Sequence, residues 1–133
     1  MLFVGSSAWA QTNQDCMLCH EDKDLTTIKK GKTISVWVNL GLYRKSVHGK
    51  LKCIECHKDA AVDFPHPERL KKVNCGTCHS EAKRKFDSGI HGQAFKRGEM
   101  YAPDCKECHG EHDILPKSDP NSRTYKMNIP VLC

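Results

Sequence analysis

Four stretches of the sequence share one spacing of reactive side chains. They are "CMLCH" at 16–20, "CIECH" at 53–57, "CGTCH" at 75–79 and "CKECH" at 105–109. Each places two thiols three positions apart and an imidazole directly after the second. Two thiols at that spacing can meet the two vinyl groups on one edge of a porphyrin. The next residue then lies under the iron, where an imidazole nitrogen can bind it. C-x-x-C-H is the attachment motif of c-type haem. At the chain's own Cys and His frequencies, about 0.04 matches would arise by chance, so four matches are a strong signal. The expected thioether carriers are Cys16, Cys19, Cys53, Cys56, Cys75, Cys78, Cys105 and Cys108. The expected proximal ligands are His20, His57, His79 and His109.

Two other chemistries use paired cysteines. Four-cysteine zinc sites are built from two C-x-x-C units, and exported proteins carry disulfides. Neither needs a histidine after every second cysteine. The histidine count also favours haem. Of the 8 histidines, four follow the cysteine pairs. His48, His66, His91 and His112 remain, one for the far side of each iron. The expectation is bis-histidine ligation at all four haems. Met17, Met100 and Met127 could also ligate iron, and are read as packing residues. His48 in "SVHG" and His91 in "GIHG" share a local motif.

The rest of the chain must hold these groups with little apolar material. Hydrophobic residues make up 38% of the 133, cysteines included, and the mean hydropathy is −0.60. Small domains short of core recruit disulfides, metals or cofactors. The formal charge is +5. Four ferric haems, each with two propionates, would bring that to about +1. The basic runs around Lys29, Lys71 and Lys83 are candidates to neutralise propionates. No basic patch interleaved with aromatics marks a nucleic-acid surface. No run approaches the ~20 apolar residues of a membrane span. Residues 1–10 read as a partial signal peptide, with Ala8-Trp9-Ala10 as the cleavage site. The chain is therefore expected outside the cytoplasm, in the periplasm or beyond.

The positioning elements are short. Residues 25–39 look like a β-hairpin, with Ile34, Val36 and Val38 alternating with polar or aromatic neighbours and Gly31 in the turn. "HPERLKKVN" reads as a helical turn led by Pro67. "SEAKRKFDSG" reads as a helix with Ser80 as N-cap and Gly89 near its end. The segment after residue 114, "LPKSDPNSR", is turn-rich. The expected fold is mainly α with extensive irregular loops, with short helices and one small hairpin packed around four haems.

The cysteine pairs also repeat. Cys16 to Cys75 spans 59 residues and Cys75 to Cys133 spans 58. Residues 11–133 thus read as a tetrahaem domain of two C-x-x-C-H…C-x-x-C-H repeats. Cys133 is expected to open a third repeat.

Beyond the haem motifs, "KTISVWVNLGLYRKSVHGKLKCIECHKD", "FPHPERLKKVNCGTCHSEA" and "CKECHGEHDILPKSDPNS" resemble a pattern in exported multihaem c-type cytochromes of anaerobic, metal- or sulfur-respiring bacteria. The resemblance covers about residues 15–133. It implies an electron carrier rather than an enzyme, with low-potential haems, and distal ligands matching His48, His66, His91 and His112 by motif. It further implies redox protein partners, such as a membrane cytochrome b or a quinol-oxidising complex. The alternatives are a non-catalytic haem module of a multihaem reductase and a filament-forming cytochrome.

Overall fold

The computed structural model of the chain describes residues 11–62 and 65–132. The expected leader at 1–10 and the expected third-repeat cysteine, Cys133, lie outside the described residues. Seven α-helices and one two-stranded sheet are present among the described residues. In chain order these are α1 (Asn13–His20), β1 (Thr26–Lys29), β2 (Lys32–Ser35), α2 (Leu40–Lys45) and α3 (Cys53–Cys56). They are followed by α4 (Ser80–Ser88), α5 (Ile90–Lys96), α6 (Cys105–His109) and α7 (Ile129–Leu132). Two 3₁₀ turns cover Lys58–Ala61 and Cys75–Thr77. No helix among the described residues is long and apolar enough to cross a membrane.

None of these helices exceeds 9 residues, a length that is marginal for an isolated helix. Their stability must come from capping and from what they pack against. The β-hairpin forms where the alternation placed it. Lys29 pairs with Lys32, leaving Lys30 and Gly31 as a two-residue turn. Both have positive φ, 51° and 74°, the conformation of a type I′ turn. The strand ends at Ser35, before the expected limit of Asn39. Asn39 instead caps the next helix, where its side chain accepts the Leu42 N–H at 3.1 Å and starts α2.

Two other sequence expectations are corrected. No helical turn forms at Pro67. The polar groups there bond elsewhere: Lys71 N–H donates to Asp59 at 2.6 Å and Thr27 Oγ1 to Glu68 at 3.0 Å. Side-chain bonds of this kind compete with a helical ladder. Ser80 is the first residue of α4 rather than its cap; His79 stands at the cap. Its carbonyl accepts the Lys83 N–H at 2.9 Å. The turn-rich segment after residue 114 is pinned in place. Asn128 Nδ2 donates to the carbonyls of Pro120 and Ser122, both at 2.9 Å, and Ser122 Oγ donates to Leu115.

The chain divides into two compact units, and the division does not follow the 59-residue repeat. The first unit takes the residues up to Trp37 together with Lys52–Lys71. The second takes Val38–Leu51 together with the residues from Lys72 onward. Each unit therefore carries two of the four cysteine motifs. Residues 38–51, which precede the second motif in sequence, fold with the third and fourth.

Among the described residues the buried apolar side chains are Met17, Tyr43 and Ala94, and none is fully buried. Large apolar side chains stand open, including Leu18 within the first motif and Ile90 at the start of α5. Met17 packs as expected. Met100 and Met127, read as packing residues, are instead exposed at 85% and 70%.

Candidate haem-attachment sites

Every cysteine motif lies on a helical turn, and most turns are started by the residue just before the first cysteine. In α1, Thr12 Oγ1 accepts the Asp15 N–H while the Asp15 carboxylate accepts the Thr12 N–H at 2.7 Å. Before α3, the Glu55 carboxylate accepts the Lys52 N–H. Before the 3₁₀ turn of the third motif, Asn74 Oδ1 accepts the Gly76 N–H at 3.0 Å. Before α6, Asp104 accepts the Lys106 N–H at 2.9 Å and Glu107 accepts the Asp104 N–H at 2.8 Å. These bonds satisfy N–H groups that a helix start leaves without partners. On such a turn, positions i, i+3 and i+4 share one face. In α1 and α6, which contain a whole motif, the two thiols and the histidine thus leave the backbone on the same side.

Two motif histidines sit ring-to-ring with non-motif histidines. In the first unit, the His20 and His66 centroids are 5.9 Å apart with planes 13° from parallel. In the second unit, His48 and His79 are 5.8 Å apart with planes at 61°. Aromatic pairs in general fall in this range. Yet two imidazoles bonding one metal from opposite sides at ~2 Å would also bring their centroids to roughly 6 Å. The hydrogen bonds favour ligation. His20 Nδ1 lies 2.7 Å from the Val36 carbonyl and His66 Nδ1 lies 2.8 Å from the Pro67 carbonyl. A carbonyl only accepts, so both Nδ1 atoms must carry the proton. In the neutral ring each Nε2 then keeps its lone pair. Metal-binding histidines are commonly oriented by such a bond from the other ring nitrogen. Burial, followed by the neighbouring His79, lowers the pKa of His48, which favours the neutral, ligand-competent ring.

The leading thiols of successive motifs are also neighbours. The Cys53 thiol is pushed up to about 11 by burial, then by the neighbouring Cys16. Burial, then Cys75, raises Cys105 in the same way. First motif meets second in one unit, and third meets fourth in the other. No disulfide forms among the described cysteines.

The remaining candidates are placed by their elements. His57 follows the last residue of α3 as its C-cap. His91, on α5, and His109, on α6, line one cavity with Cys105, Cys108 and Phe86. His112 lies edge-on to Tyr43 at 6.3 Å, whose hydroxyl donates to the Leu51 carbonyl at 2.8 Å. The shared H-G dipeptides have a common cause. A Cβ on Gly49 would strike the Arg44 carbonyl and lie 2.6 Å from that of Tyr43. A Cβ on Gly92 would strike the Phe86 carbonyl and lie 2.7 Å from Asp87 Cα. In both, glycine lets the residue after the histidine abut the end of the preceding helix. Of the lysines singled out for propionates, Lys83 is engaged by both oxygens of Asp87 at 2.6 Å.

These residues fit c-type haem. An all-protein zinc site needs about four converging ligands. Among the described residues no three His, Cys, Asp or Glu side chains converge in that way. An iron in a porphyrin needs only the two axial groups that each imidazole pair offers. The capping residues were within reach of sequence reasoning. Thr12/Asp15, Lys52/Glu55 and Asp104/Glu107 stand at capping-box spacing. The histidine pairings carry no local signal. No family model, curated protein or solved structure matches the chain.

Proposed function

We propose that this chain is an electron-transfer protein of the multihaem cytochrome c type, holding four covalently attached haems. The reading rests most directly on the His20–His66 pair. One ring directly follows the Cys16/Cys19 thiols, both Nδ1–H groups are fixed on carbonyls, and both Nε2 lone pairs are left for a metal. Bound haem supplies reversible one-electron chemistry between ferric and ferrous iron. The eight motif thiols anchor the group by thioether bonds. A polypeptide with three buried apolar side chains among its described residues needs such bonds for retention. His20 with His66, and His48 with His79, would hold the iron, and an iron so held would pass electrons rather than bind substrate. The leading thiols of successive motifs perturb one another within each unit, and such nearness favours short transfers. Electrons would enter from one redox protein and leave to another, outside the cytoplasm, in an anaerobic respiratory chain.

The test is the ferric protein matured with a haem-ligation system. Its absorption should be wholly low-spin, its reduction should give a c-type spectrum, and added cyanide or nitrite should bind slowly or not at all. Rapid ligand binding by the unmodified protein would mean an open iron and an enzymatic role.

A further inference from the structure

Sequence spacing does not say which distal histidine serves which motif, and the ring geometry answers it for two of the four. We infer that His66 is the second axial ligand of the iron attached at Cys16 and Cys19, and that His48 is that of the iron attached at Cys75 and Cys78. The inference rests on the haem reading above and adds the wiring of the chain.

The two ligands reach their motifs in different ways. His66 lies beyond the second motif in sequence, yet its ring stands 5.9 Å from that of His20, in the first motif. It pairs backward, past the nearer motif. His48 lies before the second motif and pairs forward, 5.8 Å from His79 of the third. Residues 38–51 are what carry it there. Val47 N–H donates to the Ile114 carbonyl at 2.9 Å, and Tyr43 meets His112, so this segment is bound within the second unit. Gly49 fixes the turn that follows, since any side chain there would meet the Tyr43 and Arg44 carbonyls. The nearest motif in sequence to His48 begins at Cys53. Chain proximity alone would have chosen that one.

The ring angles give each iron a signature. Near-parallel imidazole planes, as at 13°, produce a rhombic low-spin ferric resonance. Strongly crossed planes, as at 61°, produce a highly anisotropic one.

The experiment uses the full chain, matured with a haem-ligation system. Four haem additions by mass spectrometry establish the parent reading; fewer would overturn that reading rather than the wiring. In the four-haem protein, His66→Ala and His48→Ala should each turn one haem high-spin, and added imidazole should restore it. Each substitution is then repeated where its proposed haem is removed. In Cys16→Ser/Cys19→Ser, His66→Ala should add no high-spin signal. In Cys75→Ser/Cys78→Ser, His48→Ala should add none. A new high-spin signal in either background assigns that histidine to another iron and overturns the wiring. If a three-haem background does not mature, paramagnetic resonance of the single variants decides. His66→Ala should remove a rhombic signal and His48→Ala a highly anisotropic one. The reverse, or no change in spin state, overturns it.

Discussion

The two units solve one problem with different material. Each holds two cysteine motifs, and in each the leading thiols of the two motifs lie near enough to perturb one another, Cys16 with Cys53 and Cys75 with Cys105. The first unit braces its motifs with the β-hairpin: the Val36 carbonyl beyond β2 orients His20, and Thr27 on β1 holds Glu68. The second uses helices, with α5 laid against the end of α4 at Gly92 and α6 capped by Asp104. The first pairs its imidazoles nearly parallel, the second at 61°. The common features are the paired motifs and the paired imidazoles. The scaffold that delivers them is free to differ.

The largest test of that comparison removes one motif from each unit. Cys53→Ser/Cys56→Ser and Cys105→Ser/Cys108→Ser should each drop the haem count by one, read by mass spectrometry. If either double substitution abolishes all attachment, the units do not mature as separate pairs of sites.

A second test concerns the neighbouring thiols. Before haem is attached, Cys53, pushed up to about 11, should hold on the order of 100-fold less thiolate near neutral pH than an ordinary thiol. Its alkylation in the haem-free chain should lag behind that of exposed Cys19 and rise steeply as the pH climbs towards 11. Equal rates at neutral pH would mean that neither burial nor the neighbouring Cys16 raises this thiol.

The glycines come next. Gly49→Ala and Gly92→Ala force a methyl group against helix-end carbonyls, and overpacking of this kind costs about 1–3 kcal/mol. Thermal unfolding of the two variants should show similar losses, since the two positions do the same work. A loss at one position only would break the parallel between the H-G dipeptides.

The smallest effect is at the fourth motif. Burial works to raise the Asp104 carboxyl, but hydrogen bonding with Glu107, Lys72 and the Lys106 N–H outweighs it and holds the group at about 2. A carboxyl depressed in the folded state stabilises it above the ordinary value near 4, and that contribution is lost as pH falls through about 2. Asp104→Ala, which also removes the cap, should cost about 0.5–2 kcal/mol. Asp104→Asn keeps a capping oxygen and should cost less. Its deficit should be full near pH 6 and vanish by about pH 2. A deficit independent of pH would mean the charge contributes nothing.

What the sequence revealed was local. The C-x-x-C-H spacing, the alternation ending in a Gly turn and the Ser80–Gly89 helix all depend on residues a few positions apart. The hairpin and the helix appear within a residue or a few of their expected places. The failures are non-local. Pro67 carries a helix-start signal, but contacts from Asp59 and Thr27 to its neighbours Lys71 and Glu68 outweigh it. The assignment of Val38–Leu51 to the second unit also has no local signal. That segment is held by bonds such as Val47 to Ile114, between residues far apart in sequence. The capping carboxylates Glu55 and Glu107 lie between the motif cysteines, where the haem signal masks the helix-start signal.

The central claim is that each of the four motifs holds a haem closed on both sides by histidine. Intact-mass measurement on the matured chain, paired with the ferric spectrum of the same sample, tests it most directly. Four haem additions and a wholly low-spin spectrum are the expected result. Fewer than four additions with every motif intact, or a high-spin fraction in the unmodified protein, would contradict it.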